Sequence, residues 1–284
     1  MRFKILIASI IVFLVLPFSA RADLSILLPW TMNFNDSSWV SDLALDECGG
    51  TSTHVTSGCY SEGCMKVAPP TSACTGGGIN GGQTGLGWLN YPGTSELHVR
   101  FLIKFGLGWP ANVMNGGGGL INKFLLSDSP SRVSILGFNC SDTSGRYCAW
   151  AVSGSDSAYH FTSPPARGWI EDATFRVSAN SHVNEWMAVE YALNTSTGIG
   201  KLYLWTQDGS YNGILIDNVP VDRNIAMNAF YMSYYNHYST ANAESYYLMD
   251  NLQVSSSYIG PPVGFAGGAS DNTPPAAPQG LSVR

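Results

Sequence analysis

The densest group of side chains able to transfer a proton lies at residues 231–238, which contain four tyrosines and one histidine. The alternation of an extended strand puts Tyr235 and His237 on the same face. A β-elimination needs a base for a carbon-bound proton and a positive or hydrogen-bonding group against the neighbouring carboxylate. Tyr235 and His237, with Arg100 or Lys104 beside them, would supply both. An aromatic strand packed in a core is the competing interpretation.

Residues 184–205 contain the clearest pair of strands, separated by a turn rich in Asn, Thr, Ser and Gly. Along both arms the side chains alternate with a period of two, which predicts a β-hairpin with one buried face. The face predicted to be buried carries Met187, Val189, Tyr191, Leu193, Leu202 and Leu204. The opposite face carries Trp186, Glu190, Lys201, Tyr203 and Trp205.

A further strand with the same alternation is predicted at residues 96–105. Its apolar parity holds Val99, Phe101, Ile103 and Phe105. Its other parity holds His98, Arg100 and Lys104. Because a sandwich buries one face of each strand, the polar parities of this strand and of the hairpin are expected to share one concave surface.

That surface mixes aromatic rings with charges, and the mixture favours an acidic polysaccharide as ligand. Aromatic faces stack on sugar rings, while Arg and Lys hydrogen-bond carboxylates. Ordinary cross-strand pairs on an exposed sheet, for instance Glu190 against Lys201, are the alternative. The predicted catalytic residues are Tyr235, His237 and Arg100, and the predicted substrate-binding residues are Lys104, Trp186, Glu190, Lys201, Tyr203 and Trp205.

Residues 1–22 have the pattern of a cleaved export signal, with a basic start, an apolar run and a small-residue cleavage site. Removing them removes three of the 14 basic residues and none of the 20 acidic ones, so the mature charge is 11 − 20 = −9 with His neutral. Such a charge disfavours nucleic acid and anionic membranes as partners. We therefore predict a secreted protein, extracellular or periplasmic, that does not insert into a membrane after signal cleavage.

Six cysteines lie in the mature chain, and an exported protein can join them as disulfides. The short turn between Cys140 and Cys148 predicts a bond between these two. Zinc binding is the alternative, but the spacings are not those of a zinc motif. The remaining four, which are expected to pair among themselves, are Cys48, Cys59, Cys64 and Cys74.

No cofactor is predicted, and calcium is the one metal left open. Asp250 and Asn251 carry oxygens of the kind that bind calcium, but no loop has the spacing of an EF-hand. An Asp250 bonded to neighbouring backbone is the alternative. The Gly run at residues 116–119 lacks the Lys-Ser/Thr ending of a phosphate-binding loop, so no nucleotide site is predicted.

Four segments resemble the concanavalin A-like lectin/glucanase superfamily, and within it the jelly-roll polysaccharide lyases and related secreted bacterial proteins. They are ELHVRFLIKF at 96–105, NEWMAVEYALNT at 184–195, GKLYLW at 200–205 and LMDNLQVSSSYIGP at 248–261. The resemblance implies two antiparallel sheets, a concave face for glycan and, in lyase members, a Tyr or His that takes the proton next to a uronate carboxylate. The sequence has no Glu-x-Asp-x-x-Glu motif of the glucanases.

The predicted fold is all-β, a two-sheet antiparallel jelly-roll sandwich at residues 23–262, followed by a Gly/Pro-rich linker or tail at residues 263–284. The predicted function is a secreted carbohydrate-active protein that binds a polysaccharide and cleaves an acidic one by β-elimination if it is an enzyme. The alternative is a non-catalytic lectin-like or extracellular matrix module that only holds glycan or another surface protein.

Overall fold

The structure is a computed structural model. It describes residues 23–46, 50–68, 82–107, 119–126, 133–139, 146–154, 168–176, 182–220, 223–224, 226–236 and 246–265, with the strands between 119 and 176 described by their backbones. The predicted export signal at residues 1–22 lies outside this part of the chain.

Strands account for nearly all of the regular structure in the described ranges. In chain order they are β1 Asp23–Ser25, β2 Trp30–Met32, β3 Ala44–Asp46, β4 Thr51–Val55, β5 Cys64–Ala68, β6 Gly82–Thr94, β7 Glu96–Phe105, β8 Gly119–Leu126, β9 Val133–Asn139, β10 Arg146–Gly154, β11 Gly168–Arg176, β12 Met187–Asn194, β13 Ile199–Thr206, β14 Asn212–Pro220, β15 Met227–Asn236 and β16 Tyr247–Ser255. A five-residue helix, α1, spans Trp39–Leu43. No helix in these ranges has the length and apolar character needed to cross a membrane.

The strands form two sheets of eight, which we name sheet A and sheet B. Sheet A has the order β1-β6-β15-β8-β9-β10-β11, with β3 also paired to β6. Sheet B has the order β14-β13-β12-β7-β16-β5-β4, with β2 also paired to β16. Neighbouring strands run antiparallel except β1, which is parallel to β6. The predicted all-β, two-sheet antiparallel sandwich is confirmed.

The predicted hairpin is formed by β12 and β13, whose register runs from Met187 opposite Thr206 to Asn194 opposite Ile199. Its turn closes because the Asn194 side chain accepts a hydrogen bond from the Thr197 amide at 3.0 Å. Gly198 follows with a φ of +73°, a conformation that glycine adopts without strain. Strand β7 pairs with the other edge of β12, with Glu190 opposite Arg100. The hairpin therefore lies inside sheet B, not at its edge.

The main core lies between the two sheets and contains the apolar parity predicted for each strand of sheet B. All six core-face residues of the hairpin and all four of β7 belong to it. Sheet A contributes Leu86, Leu89, Phe230 and Met232. Burying such a side chain stabilises the fold by about 1.5–3 kcal/mol. This burial fixes the register, since a one-residue slip would exchange these residues for the charged parity.

The outer face of sheet B is covered in part by residues 256–265, which we name the strap. Phe265 in the strap is 4% exposed and packs in a second apolar cluster on this face. That cluster also contains Cys64, Leu102, Trp186, Ala188, Trp205 and Leu248. The packed chain therefore continues to Phe265, three residues past the predicted domain end at 262, because the apolar Phe265 side chain is buried against the sheet.

A disulfide joins Cys59 to Cys64 in the connection between β4 and β5. Both cysteines contact the second cluster, which places the bond beneath the strap. Two of the four cysteines expected to pair among themselves do so. The predicted partner of Cys148, Cys140, lies outside the described residues, so that bond stays a prediction.

Candidate functional site

The polar parity predicted from the sequence forms a continuous row across the outer face of sheet B. Tyr203 of β13 lies opposite Glu190 of β12, and Glu190 lies opposite Arg100 of β7. Arg100 in turn lies opposite Gln253 of β16. Side chains in register on neighbouring strands share a face and lie within contact distance. The shared face that alternation predicts for these residues is therefore present.

Glu190 lies at the centre of this row and is completely buried. Its carboxylate accepts a hydrogen bond from His98 Nδ1 at 2.7 Å. It accepts two more from the strap backbone, from the Ile259 amide at 3.1 Å and the Gly260 amide at 2.8 Å. Three donors compensate for the loss of water around the charge. Glu190 thus binds a segment of its own chain.

Arg100 binds the carbonyl oxygen of Gly260, whose amide donates to Glu190. Its Nη1 donates to the Gly260 carbonyl at 2.9 Å, and its Nη2 donates to Asn251 Oδ1 at 3.4 Å. Burial lowers the pKa of Arg100 to about 10, and the charge of Glu190 opposes that shift. The guanidinium therefore stays protonated at neutral pH. Glu190 and Arg100 together clamp the amide and the carbonyl of Gly260.

His98 extends this clamp to a second carboxylate. Its Nδ1 contacts Glu190, and its Nε2 lies 3.1 Å from Glu96 Oε1. A neutral imidazole has only one N–H, so two hydrogen bonds to carboxylates require the imidazolium form. Burial lowers the pKa of His98, but its hydrogen bonds to Glu190 and Glu96 and the charges of both carboxylates outweigh burial and raise this pKa overall. The two contacts and the raised pKa both favour the cationic form of His98.

The far end of the strap is fixed by aromatic contacts. Phe265 and Trp186 both contact Tyr60, with ring centroids 5.8 Å and 6.0 Å from the Tyr60 ring. The Tyr60 hydroxyl donates to the Val263 carbonyl at 2.6 Å. Lys104 lies nearby, with Nζ 5.9 Å from the Trp186 ring centroid. Trp186 thus lies beside Tyr60, which holds the far end of the strap.

Three aromatic rings on the same face form a group that we name the shelf: Tyr203, Trp205 and Tyr258. Trp205 belongs to the second apolar cluster, and Tyr203 packs against that cluster. Tyr203 stacks on Trp205 at 5.6 Å and 7° between planes. Tyr258, from the strap, lies 5.3 Å from Tyr203 and is 54% exposed. Burial raises the pKa of both phenols, so both remain neutral.

Two charged residues lie beside the shelf at the edge of sheet B. Lys201 Nζ is 3.1 Å from Asp217 Oδ1, and both side chains are partly exposed. Lys201 precedes Tyr203 by two residues in β13, so both side chains lie on the outer face. The shelf and these two residues together offer aromatic ring faces, two neutral hydroxyls, one ammonium and one carboxylate on this part of the face.

The structure divides the predicted binding residues into two groups. Lys201 and Tyr203 lie at the open shelf, whereas Glu190 and Trp186 are buried under the strap. Trp205 is 1% exposed and stacks against Tyr203. Lys104 is partly exposed and lies near the Trp186 ring. Arg100, Glu190 and Trp186 are buried in the structure, and the first two hydrogen-bond the strap.

Two of the predicted catalytic residues, Tyr235 and Arg100, belong to different sheets. Tyr235 belongs to β15 of sheet A, whereas Arg100 extends from the outer face of sheet B. Stacked sheets lie about 10 Å apart, with the core between them. His237 lies outside the described residues. Arg100 is therefore not placed beside Tyr235, and roles for Tyr235 and His237 stay predictions.

A β-bulge marks the outer face of sheet A near the predicted tyrosine group. The register of β15 against β6 shifts between Phe230, opposite Leu89, and Met232, opposite Leu86. The extra residue in β6 lets Trp88 lie against Tyr231, with ring centroids 5.1 Å apart. Tyr231 is buried but is not part of the core between the sheets. Tyr231 is the one member of the aromatic group at 231–238 whose side chain the structure describes.

Asp250 and Asn251 are engaged by the protein's own groups. Asp250 accepts hydrogen bonds from the Ser61 amide at 2.9 Å and from the Asn251 amide at 2.7 Å. Asn251 accepts from Arg100 and from Gln253. This matches the alternative to a calcium site, an Asp bonded to neighbouring backbone. No group of three metal-binding side chains occurs in the part of the chain that the structure describes.

Several solved structures have a similar fold. The alginate lyase Aly36B shares 12% identity, with 81% of this chain and 97% of that one covered and a TM-score of 0.48. The alginate lyase vAL-1 from Chlorella virus shares 14% identity over 75% of this chain and 92% of that one, with a TM-score of 0.43. The lectin from Bauhinia forficata in complex with GalNAc shares 10% identity over 80% and 97%, with a TM-score of 0.43.

The chain's own strand pairing shows the all-β, two-sheet antiparallel sandwich that its sequence predicts. No family model and no curated protein sequence matches this chain.

Proposed function

We propose that this protein is secreted and binds a polysaccharide on the shelf. The observation that carries the proposal is the exposed ring of Tyr258 beside the partly exposed ring of Tyr203, which stacks on the buried ring of Trp205. Ring faces stack on the apolar faces of sugars. Because packing already fixes these rings, little conformational entropy is lost on binding.

The polar groups around the shelf complement this stacking. The hydroxyls of Tyr203 and Tyr258 are neutral and can donate and accept hydrogen bonds. Lys201 and Asp217 lie within the same edge of the sheet and offer a donor and an acceptor to sugar hydroxyls. Lys201 can also form an ion pair with a uronate carboxylate, so an acidic polysaccharide is compatible with the shelf.

Export is supported by the signal pattern at residues 1–22 and by the Cys59–Cys64 disulfide, since such bonds persist in oxidising compartments. The net acidic mature chain leaves nucleic acid and anionic membranes outside the proposal. The proposed location is extracellular or periplasmic.

Binding without cleavage is the form of the function that we favour. Arg100, the predicted partner of a substrate carboxylate, donates to Gly260 and Asn251 instead. Glu190 likewise accepts its hydrogen bonds from the strap and from His98. A β-elimination at Tyr235 and His237 of an acidic polysaccharide remains a separate prediction that the same experiment tests.

The test is retention on immobilised alginate, glucuronan, a heparin-type glycan and neutral glycans, with ultraviolet absorbance recorded for an unsaturated uronate. Retention of the parent without absorbance, weakened in Tyr258→Ala and Tyr203→Ala, is the expected result. The control is Leu107→Ala, which shortens an exposed side chain outside the shelf. Product absorbance would show a lyase, and a parent that no glycan retains would overturn the proposal.

Tyr258→Phe separates the two contributions of this ring. It keeps the stacking surface and removes the hydroxyl. Retention close to the parent's would assign binding to stacking, whereas a loss equal to that of Tyr258→Ala would assign it to the hydroxyl.

A further inference from the structure

We propose that Glu190, Arg100 and His98 are positioning residues that build the shelf by clamping the strap, so that polysaccharide binding depends on a charged network that no sugar touches. The inference rests on the proposed function of the shelf. The inference goes beyond the proposed function because it assigns a role to buried residues that are not part of the shelf.

The strap supplies an essential part of the shelf. Tyr258 is the most exposed of the three rings, and it stands between the end of β16 at Ser255 and the clamped Gly260. The orientation of Tyr258 is therefore set by two fixed points, three residues before it and two residues after it. Releasing Gly260 would leave Val263 and Phe265, five and seven residues after Tyr258, as the next fixed points of the strap.

Gly260 gives the clamp its geometry. It has a φ of +80°, which L side chains rarely adopt, and this turn brings its amide to Glu190 and its carbonyl to Arg100. A Cβ at this position would lie 3.2 Å from Tyr258 Cε1. The space beside Gly260 is thus filled by the Tyr258 ring, which couples the conformation of the clamp to the position of the shelf.

His98 joins the clamp to the shelf directly. Its ring donates to Glu190 and also lies edge-on to the Tyr258 ring, with centroids 6.2 Å apart. The charged and titratable groups around His98 are Glu96 on its own strand, Glu190 on β12 and Tyr258 on the strap. Arg100, next along the outer parity of β7, faces the same Glu190 carboxylate.

The network makes binding sensitive to pH in one direction. The imidazolium of His98 donates to both carboxylates, and loss of its proton leaves one N–H for the two. Because the pKa of His98 is raised in the folded protein, the two contacts of the imidazolium are present just below that raised pKa and are lost as pH rises through it. Retention of the parent should accordingly weaken on the alkaline side, whereas His98→Gln should lack this step.

The decisive variant is Glu190→Gln, which keeps the side-chain shape but replaces one accepting oxygen with an amide that cannot accept from the strap. Two measurements are made on the full chain: glycan retention, and hydrogen exchange at the Ile259 and Gly260 amides. We expect retention weaker by roughly tenfold, as for a lost charged hydrogen bond. We also expect faster exchange at those two amides while the amides of Phe101 and Val189 in the core stay protected.

Two further variants keep the test decisive. Glu185→Gln makes the same chemical change at an exposed carboxylate and should behave like the parent. Phe265→Ala removes an apolar anchor of the strap and leaves the charged groups of the clamp unchanged. It applies if Glu190→Gln fails to fold, and it should also weaken retention and accelerate exchange at Gly260. Equal retention of the parent and a folded clamp variant whose amides have opened would overturn the inference and leave the proposed function intact. A parent that no glycan retains would overturn both.

Discussion

The outer face of sheet B has two parts that carry similar side chains and differ in what lies above them. In the clamped part, around Glu190 and Arg100, the charged groups are buried and bind the strap. In the open part, around Tyr203 and Lys201, the side chains reach solvent. The same alternation produced both parts. Side-chain alternation therefore determines the face of a sheet, whereas another segment of the chain determines which portion of that face a ligand can reach.

The largest effect that separates the two parts is expected from Glu190→Ala. The change removes the acceptor for two strap amides and leaves Arg100 buried without its neighbouring carboxylate. We expect the free energy of unfolding to fall by about 3 kcal/mol, the range for breaking a buried charge pair. Urea unfolding measures it. A loss no larger than that of Tyr203→Ala would show that the clamped part is not structurally distinct.

Removal of the Cys59–Cys64 disulfide by a double change to Ser is expected to have the next largest effect. The bond closes a loop with a sequence separation of 5, and loop-closure entropy predicts a loss of about 2 kcal/mol. Because the bond lies under the strap, hydrogen exchange should rise at the strap amides as well as in the loop. Exchange confined to the loop would indicate that the two regions are independent.

A pH series sharpens the comparison because only the clamped part contains His98. The pKa of His98 is raised by folding, so its contribution to stability is complete below the unfolded value of about 6.5 and is lost as pH rises through the folded pKa. Unfolding midpoints of the parent and His98→Gln should therefore converge on the alkaline side. A difference between them that stayed constant with pH would mean that His98 acts through packing alone.

The smallest effect is expected in the open part. Tyr203→Ala removes one partly exposed ring from the shelf, and the unfolding free energy should fall by about 1 kcal/mol or less. Its retention on glycan should fall more clearly than its stability. Thermal unfolding and retention, measured on the same preparation, check this, and a stability loss matching that of Glu190→Ala would contradict the division of the face.

The sequence was sufficient to predict the faces of β7, β12 and β13. Alternation of apolar residues is a local property, and Phe101, Val189 and Leu204 lie in the core as their parity requires. The sheet to which a strand belongs is not local. Tyr235 and Arg100 were grouped by chemistry, yet strand order assigns Tyr235 to sheet A and Arg100 to sheet B.

The packing of the strap over the outer face was not predicted, for a different physical reason. Residues 256–262 were placed in the domain and residues 263–265 in a Gly/Pro-rich tail, and composition gives no indication of which surface such a segment covers. The available signal for the last three residues was Phe265, a large apolar side chain that is unusual in a solvated tail. Gly260 gave no signal, because its importance depends on Arg100 and Glu190, more than 60 residues earlier in the chain.

The position of β16 inside sheet B has a consequence for the order in which the molecule assembles. Strands β2 and β5 pair with β16, and β4 pairs with β5, so within the described ladder the early strands join the rest of sheet B through the last strand. Met32 and Leu252 are paired across 252 − 32 = 220 residues. Contacts this distant slow folding because the intervening chain must first be brought together. An exported chain would therefore keep one sheet incomplete until nearly all of it had emerged, and sheet B would be open to strand pairing with other chains throughout that interval.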